Sequence, residues 1–199
     1  MGPWYWLINR ISLLFFLIFP GWIFCQNPRE TFKEFKINYT KSLNRQIWDT
    51  SQYETRFYTW KKRYLIKAIL IPQDTPQVVQ LIQTDQSVKE YLVFGQIAFN
   101  LHGKDYSLSA FKELRHVRNP LLKSLVFVPF NDQTNGQSTY AGGRYLQIRH
   151  TKEQLVIWLD FNYATNPLCV YQDTSCPLVP LSNKIKGVIR AGEKKPRIK

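Results

Sequence analysis

The sequence contains few of the residues that most often build catalytic and metal sites. Its 199 residues include three histidines, three cysteines and one methionine. It has no H-E-x-x-H motif, no P-loop and no glycine-rich dinucleotide fingerprint. Residues 136–140 end in Tyr140, where the nucleophile elbow of an α/β-hydrolase has glycine. We therefore predict no cofactor and no metal, and any general base would have to be a carboxylate.

Long apolar runs are also scarce, and the clearest one stands near the N-terminus. A single Arg10 precedes residues 11–24, ISLLFFLIFPGWIF, which are too few to span a bilayer comfortably. We predict a cleaved signal peptide over residues 1–25. An uncleaved N-terminal anchor and a lipoprotein acylated at Cys25 remain alternatives, although bulky residues precede Cys25. All three place the domain outside the cytoplasm, in the periplasm or cell envelope or as a secreted protein.

Acidic residues are half as numerous as basic ones, 14 against 27, and the formal net charge is +13. An exported domain of this charge would be attracted to anionic envelope surfaces through long-range, screened forces. The basic residues are scattered, with clusters only at Lys61-Lys62-Arg63 and in the tail from about residue 194. Scatter and export both argue against nucleic acid as a partner, and most of this charge is expected to be a solvated surface.

Two cysteines remain after the predicted signal, Cys169 and Cys176, with six residues between them. In an oxidising compartment this spacing indicates a disulfide bond that closes a turn-rich loop. Two free buried thiols are an alternative. A metal site is a weaker one, because no histidine is near in sequence.

The remaining pattern indicates a mainly β protein. Residues 28–43 carry apolar residues at helical spacing, so residues 26–60 are interpreted as an N-terminal helix and a connector. From residue 61 to 199, β-rich runs and turns predict a single antiparallel β-barrel-like or β-sandwich domain. The hairpin at His102-Gly103-Lys104-Asp105 is the clearest turn. Strands are predicted at residues 64–71, 77–83, 89–94, 96–101, 106–111, 124–130, 145–149, 154–159 and 185–190.

Two polar segments follow apolar strands, at residues 132–144 and 160–176. We predict that they meet at one pocket rim. Their side chains could instead be turn residues that bond their own backbone, and Arg144 could form an ion pair with Asp132 or Asp160 instead of holding an anion. The candidate ligand-binding residues are Asp132, Thr134, Thr139, Tyr140, Arg144, Asp160, Asn162, Asn166 and Glu193.

Four stretches of the chain resemble successive signatures of a prokaryotic family, domain of unknown function 1684. They read VPFNDQTNGQSTYAGGRYL, LDFNYATNPLCVY, SCPLVPLSN and IRAGEK, within a resemblance that covers residues 64–194. By position it also implies roles for Gly136, Gly143, Cys169, Cys176 and Asn183. The chain departs from the family at Ala141-Gly142 and at Tyr163, where arginine is frequent. The family's chemistry is unassigned, so the resemblance implies no reaction.

Three functions remain open at this stage. The preferred hypothesis is an exported β domain that binds a small polar or anionic ligand at the rim. The alternatives are a hydrolase and a structural cell-envelope module. A hydrolase would use paired carboxylates among Asp132, Asp160 and Glu193, with Arg144 as anion stabiliser. The sequence does not decide whether the protein is an enzyme.

Overall fold

The computed structural model describes residues 28–46, 52–150 and 155–199. The predicted signal peptide and the start of the strand predicted at 154–159 therefore lie outside the described residues. A helix, α1 (Pro28–Gln46), comes first, as predicted. Neither α1 nor any other helix in the described part of the chain has the length and hydropathy needed to cross a membrane.

A six-stranded antiparallel sheet forms the body of the domain and is nearly closed into a barrel. The fold class predicted from the sequence is thus confirmed. Along the sheet the strand order is β6-β5-β4-β3-β2-β7, and a two-stranded pair of β1 and β8 stands apart. The strands are β1 (Tyr53–Glu54), β2 (Leu65–Ile82), β3 (Val88–Leu101), β4 (Lys104–Glu113), β5 (Leu125–Phe130), β6 (Arg144–Arg149), β7 (Val156–Asp160) and β8 (Arg197–Ile198).

Two long strands replace four of the predicted short ones. The runs predicted at 64–71 and 77–83 belong to β2, because residues 72–76 form an irregularity in the ladder with β3 and not a chain reversal. The runs at 89–94 and 96–101 likewise join into β3. Gly95 lies at that junction, where a Cβ atom would come within 2.3 Å of the carbonyl oxygen of Ile71. Pro72 and Pro76 in β2 and Gly95 in β3 therefore mark irregularities within long strands and not turns between short ones.

The hairpin between β3 and β4 turns at His102-Gly103, within the predicted loop. Both residues have positive φ, 52° and 80°, as a type I′ turn requires. Leu101 and Lys104 pair across its base. Glycine tolerates this conformation without cost, and the short loop fixes the register of the two strands.

The core lies inside the curved sheet, where alternate residues of β2 to β7 are buried. The prediction of a strand at residues 185–190 is wrong, because the segment is irregular in the structure. Its apolar residues suggested a strand, and two of them, Ile185 and Ile189, are indeed buried against the sheet. Loop contacts hold it instead: the Ile185 N–H donates to the Asn131 carbonyl and the Gln133 N–H to the Gly187 carbonyl.

Helix α1 packs on the domain through an aromatic stripe. Phe32, Phe35 and Tyr39 each contact the ring of Phe57 at close to a right angle, with centroids 5.7 to 6.0 Å apart. Farther along, Leu43 is buried together with Tyr171. Such pairs add to the free energy gained from burial. The helix therefore covers the segment that carries Tyr171 and lies close to the polar loops.

Candidate functional site

The first polar segment follows β5 and folds into a compact loop around the Asp132 carboxylate. The Thr134 hydroxyl donates to both Asp132 oxygens at 2.9 Å, and the Ile189 N–H donates to Oδ2 at 2.7 Å. The hydroxyls of Thr134 and Thr139 share a further hydrogen bond of 2.8 Å. All these side chains are buried. The carboxylate of Asp132 thus has protein partners on both oxygens.

Arg144, the first residue of β6, completes this group. Its Nη2 donates to Asp132 Oδ1 and to the Ile189 carbonyl, each at 3.0 Å. Its Nη1 donates to the carbonyls of Ala191 and Glu193. Both partners of the Arg144–Asp132 ion pair have side-chain exposures of 0%. Burial lowers the pKa of the guanidinium, against the opposing effect of Asp132. We call Asp132, Thr134, Thr139 and Arg144 the Arg144 cluster.

A second buried group surrounds the Glu193 carboxylate. The Tyr39 hydroxyl donates to Oε2 at 2.8 Å and the Asn166 N–H donates to the same atom at 2.7 Å. The Tyr171 hydroxyl donates to Oε1. Burial raises the pKa of Glu193 to about 7, and these three hydrogen bonds oppose the rise. We call Tyr39, Asn166, Tyr171 and Glu193 the Glu193 cluster; it ties α1 to the domain.

Asp160 caps the short helix that follows β7, and among the described residues it makes no hydrogen bond to either cluster. Its Oδ1 accepts from the Asn162 N–H at 2.9 Å and from Asn162 Nδ2 at 2.6 Å. Asn162 also exchanges hydrogen bonds with the backbone of Lys61. Burial raises the pKa of Asp160, while the hydrogen bonds from Asn162 oppose it. In this structure Asp132, and not Asp160, is the ion-pair partner of Arg144.

Asn183, implied by the family resemblance, also acts within the fold. Its Nδ2 donates to the carbonyls of Ser109 and Pro129 at 2.9 and 2.7 Å, and its Oδ1 accepts from the Ser109 N–H at 2.8 Å. The side chain is fully buried. It therefore joins β4 and β5 to the C-terminal loop, as a buried amide with satisfied partners does.

The predicted disulfide between Cys169 and Cys176 is present, with Cα atoms 5.9 Å apart. It closes the loop that forms one wall of an open groove of about 570 Å³. The other lining residues come from three separate parts of the chain. The full lining is Gln52, Tyr53, Thr84, Tyr140, Cys169, Val170, Tyr171, Gln172, Asp173 and Thr174. We call it the Tyr140 groove.

The two polar segments therefore meet, but through few of the candidate residues. Tyr140 lines the groove, whereas seven of the nine candidates are buried: Asp132, Thr134, Thr139, Arg144, Asn162, Asn166 and Glu193. Ligand binding by those seven remains a prediction. Sequence reasoning missed Tyr39. The predicted rim segment 160–176 contained Tyr171 and the loop tip at residues 172–174, but the list of candidate residues named none of them. The polar residues Gln172, Asp173 and Thr174, which stand between the two cysteines, were the sequence signal that could have indicated them.

Comparison with known proteins gives a family and a structural relative. The family model described as protein of unknown function DUF1684 matches residues 52–194. An uncharacterised protein of Haloarcula marismortui, determined by solution NMR, is similar with a TM-score of 0.58 and 28% sequence identity, over 83% of this chain and 96% of that one. No curated protein matches. The resemblance noted in the sequence is confirmed, and neither description names an activity.

Proposed function

This chain belongs to the DUF1684 family, and we propose that it binds a small polar ligand in the Tyr140 groove. The observation that carries the proposal is the convergence of both polar segments on this one concave surface. Tyr140 comes from the first segment and residues 169–174 come from the second. Concave sites with a few convergent polar groups are where small ligands bind in most proteins.

The chemistry of the lining favours an uncharged, hydroxyl-rich ligand such as a saccharide. Two half-buried tyrosines, Tyr53 and Tyr140, supply flat apolar rings, and the buried Tyr171 lies in the wall of the groove. Side chains with amide and hydroxyl groups supply donors and acceptors around them. Among the described lining residues Asp173 is the one carboxylate, and none is lysine or arginine. An anion would thus depend on the long-range field of the basic protein and not on a local partner.

Hydrogen bonds from buried groups in and beside the two clusters hold residues of the groove in position. Asn135 Nδ2 donates to the Tyr140 carbonyl at 2.7 Å and to the Thr139 hydroxyl at 3.1 Å. Tyr171 lines the groove while its hydroxyl bonds Glu193. A wall fixed by buried partners loses little conformational entropy when a ligand binds. In this proposal the buried polar residues of the two clusters position the binding surface instead of contacting the ligand.

The hydrolase alternative has less support. Hydrolysis of a glycoside needs two carboxyl groups that face the substrate. The Asp132 carboxylate is occupied by Arg144, and the Glu193 carboxyl is surrounded by Tyr39, Tyr171 and Asn166. Asp160 bonds Asn162. None of these three acids is among the groove residues, whose one acid is Asp173.

A ligand screen by thermal shift tests the proposal on the intact protein. Neutral saccharides, inorganic phosphate, carboxylates and divalent metals would be screened against wild type, Tyr140→Ala and Gln172→Ala. Gln147→Ala on the exposed face of β6 is the matched control. We expect a saccharide to raise the Tm of wild type and of the control, and to shift both groove variants less.

Each other outcome has a defined meaning. A shift by phosphate or carboxylates alone would replace the uncharged ligand by an anionic one. A shift that both groove variants retain in full would place the ligand elsewhere. No shift from any compound would favour the structural cell-envelope module. In that case the buried clusters would serve only to fix the loops.

Export is the second part of the proposal. Its support is the sequence pattern of residues 1–25, with an apolar run after a single arginine. Intact mass of the protein purified from its own cells, after fractionation into cytoplasm, envelope and medium, tests it. Loss of the N-terminal segment supports a cleaved signal. An added lipid mass at Cys25 supports the lipoprotein, and the full-length mass in membranes supports the anchor. Full-length protein in the cytoplasm would refute export.

A further inference from the structure

A second open groove, of about 520 Å³, lies between α1 and the chain that follows β1. One wall consists of helical residues three and four positions apart, which share a face of an α-helix. They are Lys33, Lys36, Ile37, Thr40 and Lys41. Thr55 and Phe57 form the other wall, and the hydroxyls of Thr40 and Thr55 share a hydrogen bond of 3.1 Å. We call it the Lys36 groove; it has no lining residue in common with the Tyr140 groove.

The charge of the Lys36 groove is of one sign. Three of its seven lining residues are lysines, and none of the seven is acidic. Within the described ranges, no aspartate or glutamate forms an ion pair with these lysines. Lys36 is half-buried, with its Nζ 5.3 Å from the centroid of the Phe32 ring, whereas Lys33 and Lys41 are exposed. The groove therefore attracts an anion and has no carboxylate in its walls to repel one.

The basic tail seen in the sequence is held beside this groove. β8 pairs with β1, and the Lys194 N–H donates to the Arg56 carbonyl at 2.8 Å, between the two groove residues of the second wall. The exposed basic side chains of the tail are Lys195, Arg197 and Lys199. Glu54, opposite Arg197 in the ladder, offsets one of these charges. Two basic segments that are distant in sequence thus come together in the fold.

Each of these basic segments also carries an exposed isoleucine. Ile37 lies among the lysines of the groove and is 47% exposed, and Ile198 lies between Arg197 and Lys199 and is 77% exposed. Apolar side chains among lysines are typical of surfaces that lie at a membrane interface, where the apolar groups enter the acyl region and the ammonium groups meet the phosphates. A soluble anion would leave both isoleucines in water.

We propose that the Lys36 groove binds the phosphate headgroup of an anionic phospholipid, and that the basic tail contacts neighbouring headgroups of the same bilayer. A single free phosphate would gain little, because pairs between exposed charges are weak in water. A bilayer presents many anionic headgroups at once, and each lysine near its surface adds to the attraction. The net charge of +13 acts in the same direction. This site is independent of the ligand proposed for the Tyr140 groove.

Cosedimentation of the intact protein with lipid vesicles tests the proposal. Vesicles of phosphatidylcholine alone would be compared with vesicles that also contain phosphatidylglycerol. The apolar N-terminal segment, where it is retained, would bind both kinds alike, so the difference between them measures the contribution of the charged surface. We expect the protein to prefer the anionic vesicles, and salt to weaken this preference. Equal binding to both kinds of vesicle at low salt would overturn the proposal.

A pair of matched variants assigns the preference to the groove. Lys33→Gln, Lys36→Gln and Lys41→Gln together remove its charge. The control removes the same number of charges at exposed lysines elsewhere, by Lys62→Gln, Lys67→Gln and Lys104→Gln. We expect the groove variant to bind anionic vesicles about a hundredfold more weakly than wild type, and the control to stay within about threefold. Urea unfolding checks that both are folded. Equal losses would indicate attraction by net charge alone and overturn the site.

Ile37→Gln separates a phospholipid from other anions. It keeps every lysine and removes the apolar group that would enter the bilayer, so binding to anionic vesicles should weaken about fivefold. Binding of inorganic phosphate or of polyglutamate, a probe for an acidic protein, should not change. Wild type that binds either of these soluble anions more tightly than the anionic vesicles would overturn the proposal in favour of that anion. Unchanged vesicle binding by Ile37→Gln would overturn the contact with the bilayer.

Discussion

The Arg144 cluster and the Tyr140 groove draw on neighbouring parts of the same polar loops, yet their environments differ. In the cluster, every side chain is buried and the two charges face each other at 3.0 Å. In the groove, polar side chains at the loop tip of residues 172–174 face solvent or are half-buried. A polar motif therefore locates a region of the fold, while burial decides whether a given side chain holds the loop or faces a ligand.

The difference has an energetic cause. A buried charge is tolerated only when a partner and further hydrogen bonds replace its water. Arg144 obtains these from Asp132 and from the carbonyls of the C-terminal loop. Side chains of the groove keep their water and are not constrained in this way. Substitutions in the two regions should consequently affect different properties, and the following predictions test that contrast.

The largest effect is expected for Arg144→Ala. It leaves the Asp132 carboxylate buried without its cation, and breaking a buried pair costs about 3–5 kcal/mol. Urea unfolding followed by circular dichroism measures the loss. Arg149→Ala, on the exposed end of the same strand, should change the free energy of unfolding by less than about 0.5 kcal/mol. Equal, small losses in both variants would show that the buried ion pair of the Arg144 cluster stabilises the fold no more than an exposed side chain does.

Glu193 makes stability depend on pH. Its pKa is raised to about 7 in the folded protein from an ordinary value of 4.5, so folding favours the protonated form. This contribution is complete below pH 4.5 and is lost as the pH rises through 7, by roughly 3 kcal/mol. Glu193→Gln keeps a neutral side chain at every pH. It should therefore lose this part of the pH dependence.

The comparison between the two proteins at each pH isolates Glu193 from other groups. Burial lowers the pKa of His150, so protonation of His150 costs stability on acidification, in the opposite direction. Burial raises the pKa of Asp160, which acts in the same direction as Glu193. Both remain in the variant. If wild type and Glu193→Gln show parallel stability curves from pH 4.5 to 8, the Glu193 carboxyl does not titrate as assigned.

Removal of the disulfide should have an effect of intermediate size that reaches the groove. Cys169→Ser with Cys176→Ser opens a short ring and should cost about 2–3 kcal/mol by the chain-entropy estimate. Because Cys169 lines the groove, the variant should also lose part of any ligand-induced Tm shift. Thermal unfolding with and without ligand measures both. A stability loss with an undiminished ligand shift would separate the loop from the binding surface.

Much of the fold could be predicted because it follows from local patterns. Alternation along β4, the turn at His102-Gly103 and the aromatic stripe of α1 are each decided by nearby residues. The length of β2 and β3 could not be predicted, because Pro72 and Gly95 have the same sequence signal in a turn and in a bulge. The burial of Ile185 and Ile189 in an irregular segment depends on distant partners in the loop after β5.

The site was predictable as a region but not as a set of contacts. The pattern of a polar segment after an apolar strand, present twice, indicated that residues 132–144 and 160–176 would meet, and Tyr140 and Tyr171 do share the groove. It could not indicate that Arg144 would be fully enclosed, since that depends on carbonyls of Ile189 and Ala191 brought in from the C-terminal loop. Hydrogen bonds between residues far apart in sequence produce no periodic pattern from which they could be predicted.

The smallest effect on stability, and the sharpest contrast with the cluster, is expected for Gln172→Ala. Gln172 is half-buried on the groove loop, and substitutions away from core or buried polar features change unfolding free energy by less than about 0.5 kcal/mol. Loss of one hydrogen bond to a ligand costs about 1 kcal/mol, which raises Kd about fivefold. Titration calorimetry with the compound found in the screen measures this, and Gln147→Ala should leave Kd unchanged. Because the unfolding energy is expected to stay constant, an unchanged Kd in Gln172→Ala would show that the loop tip does not contact the ligand.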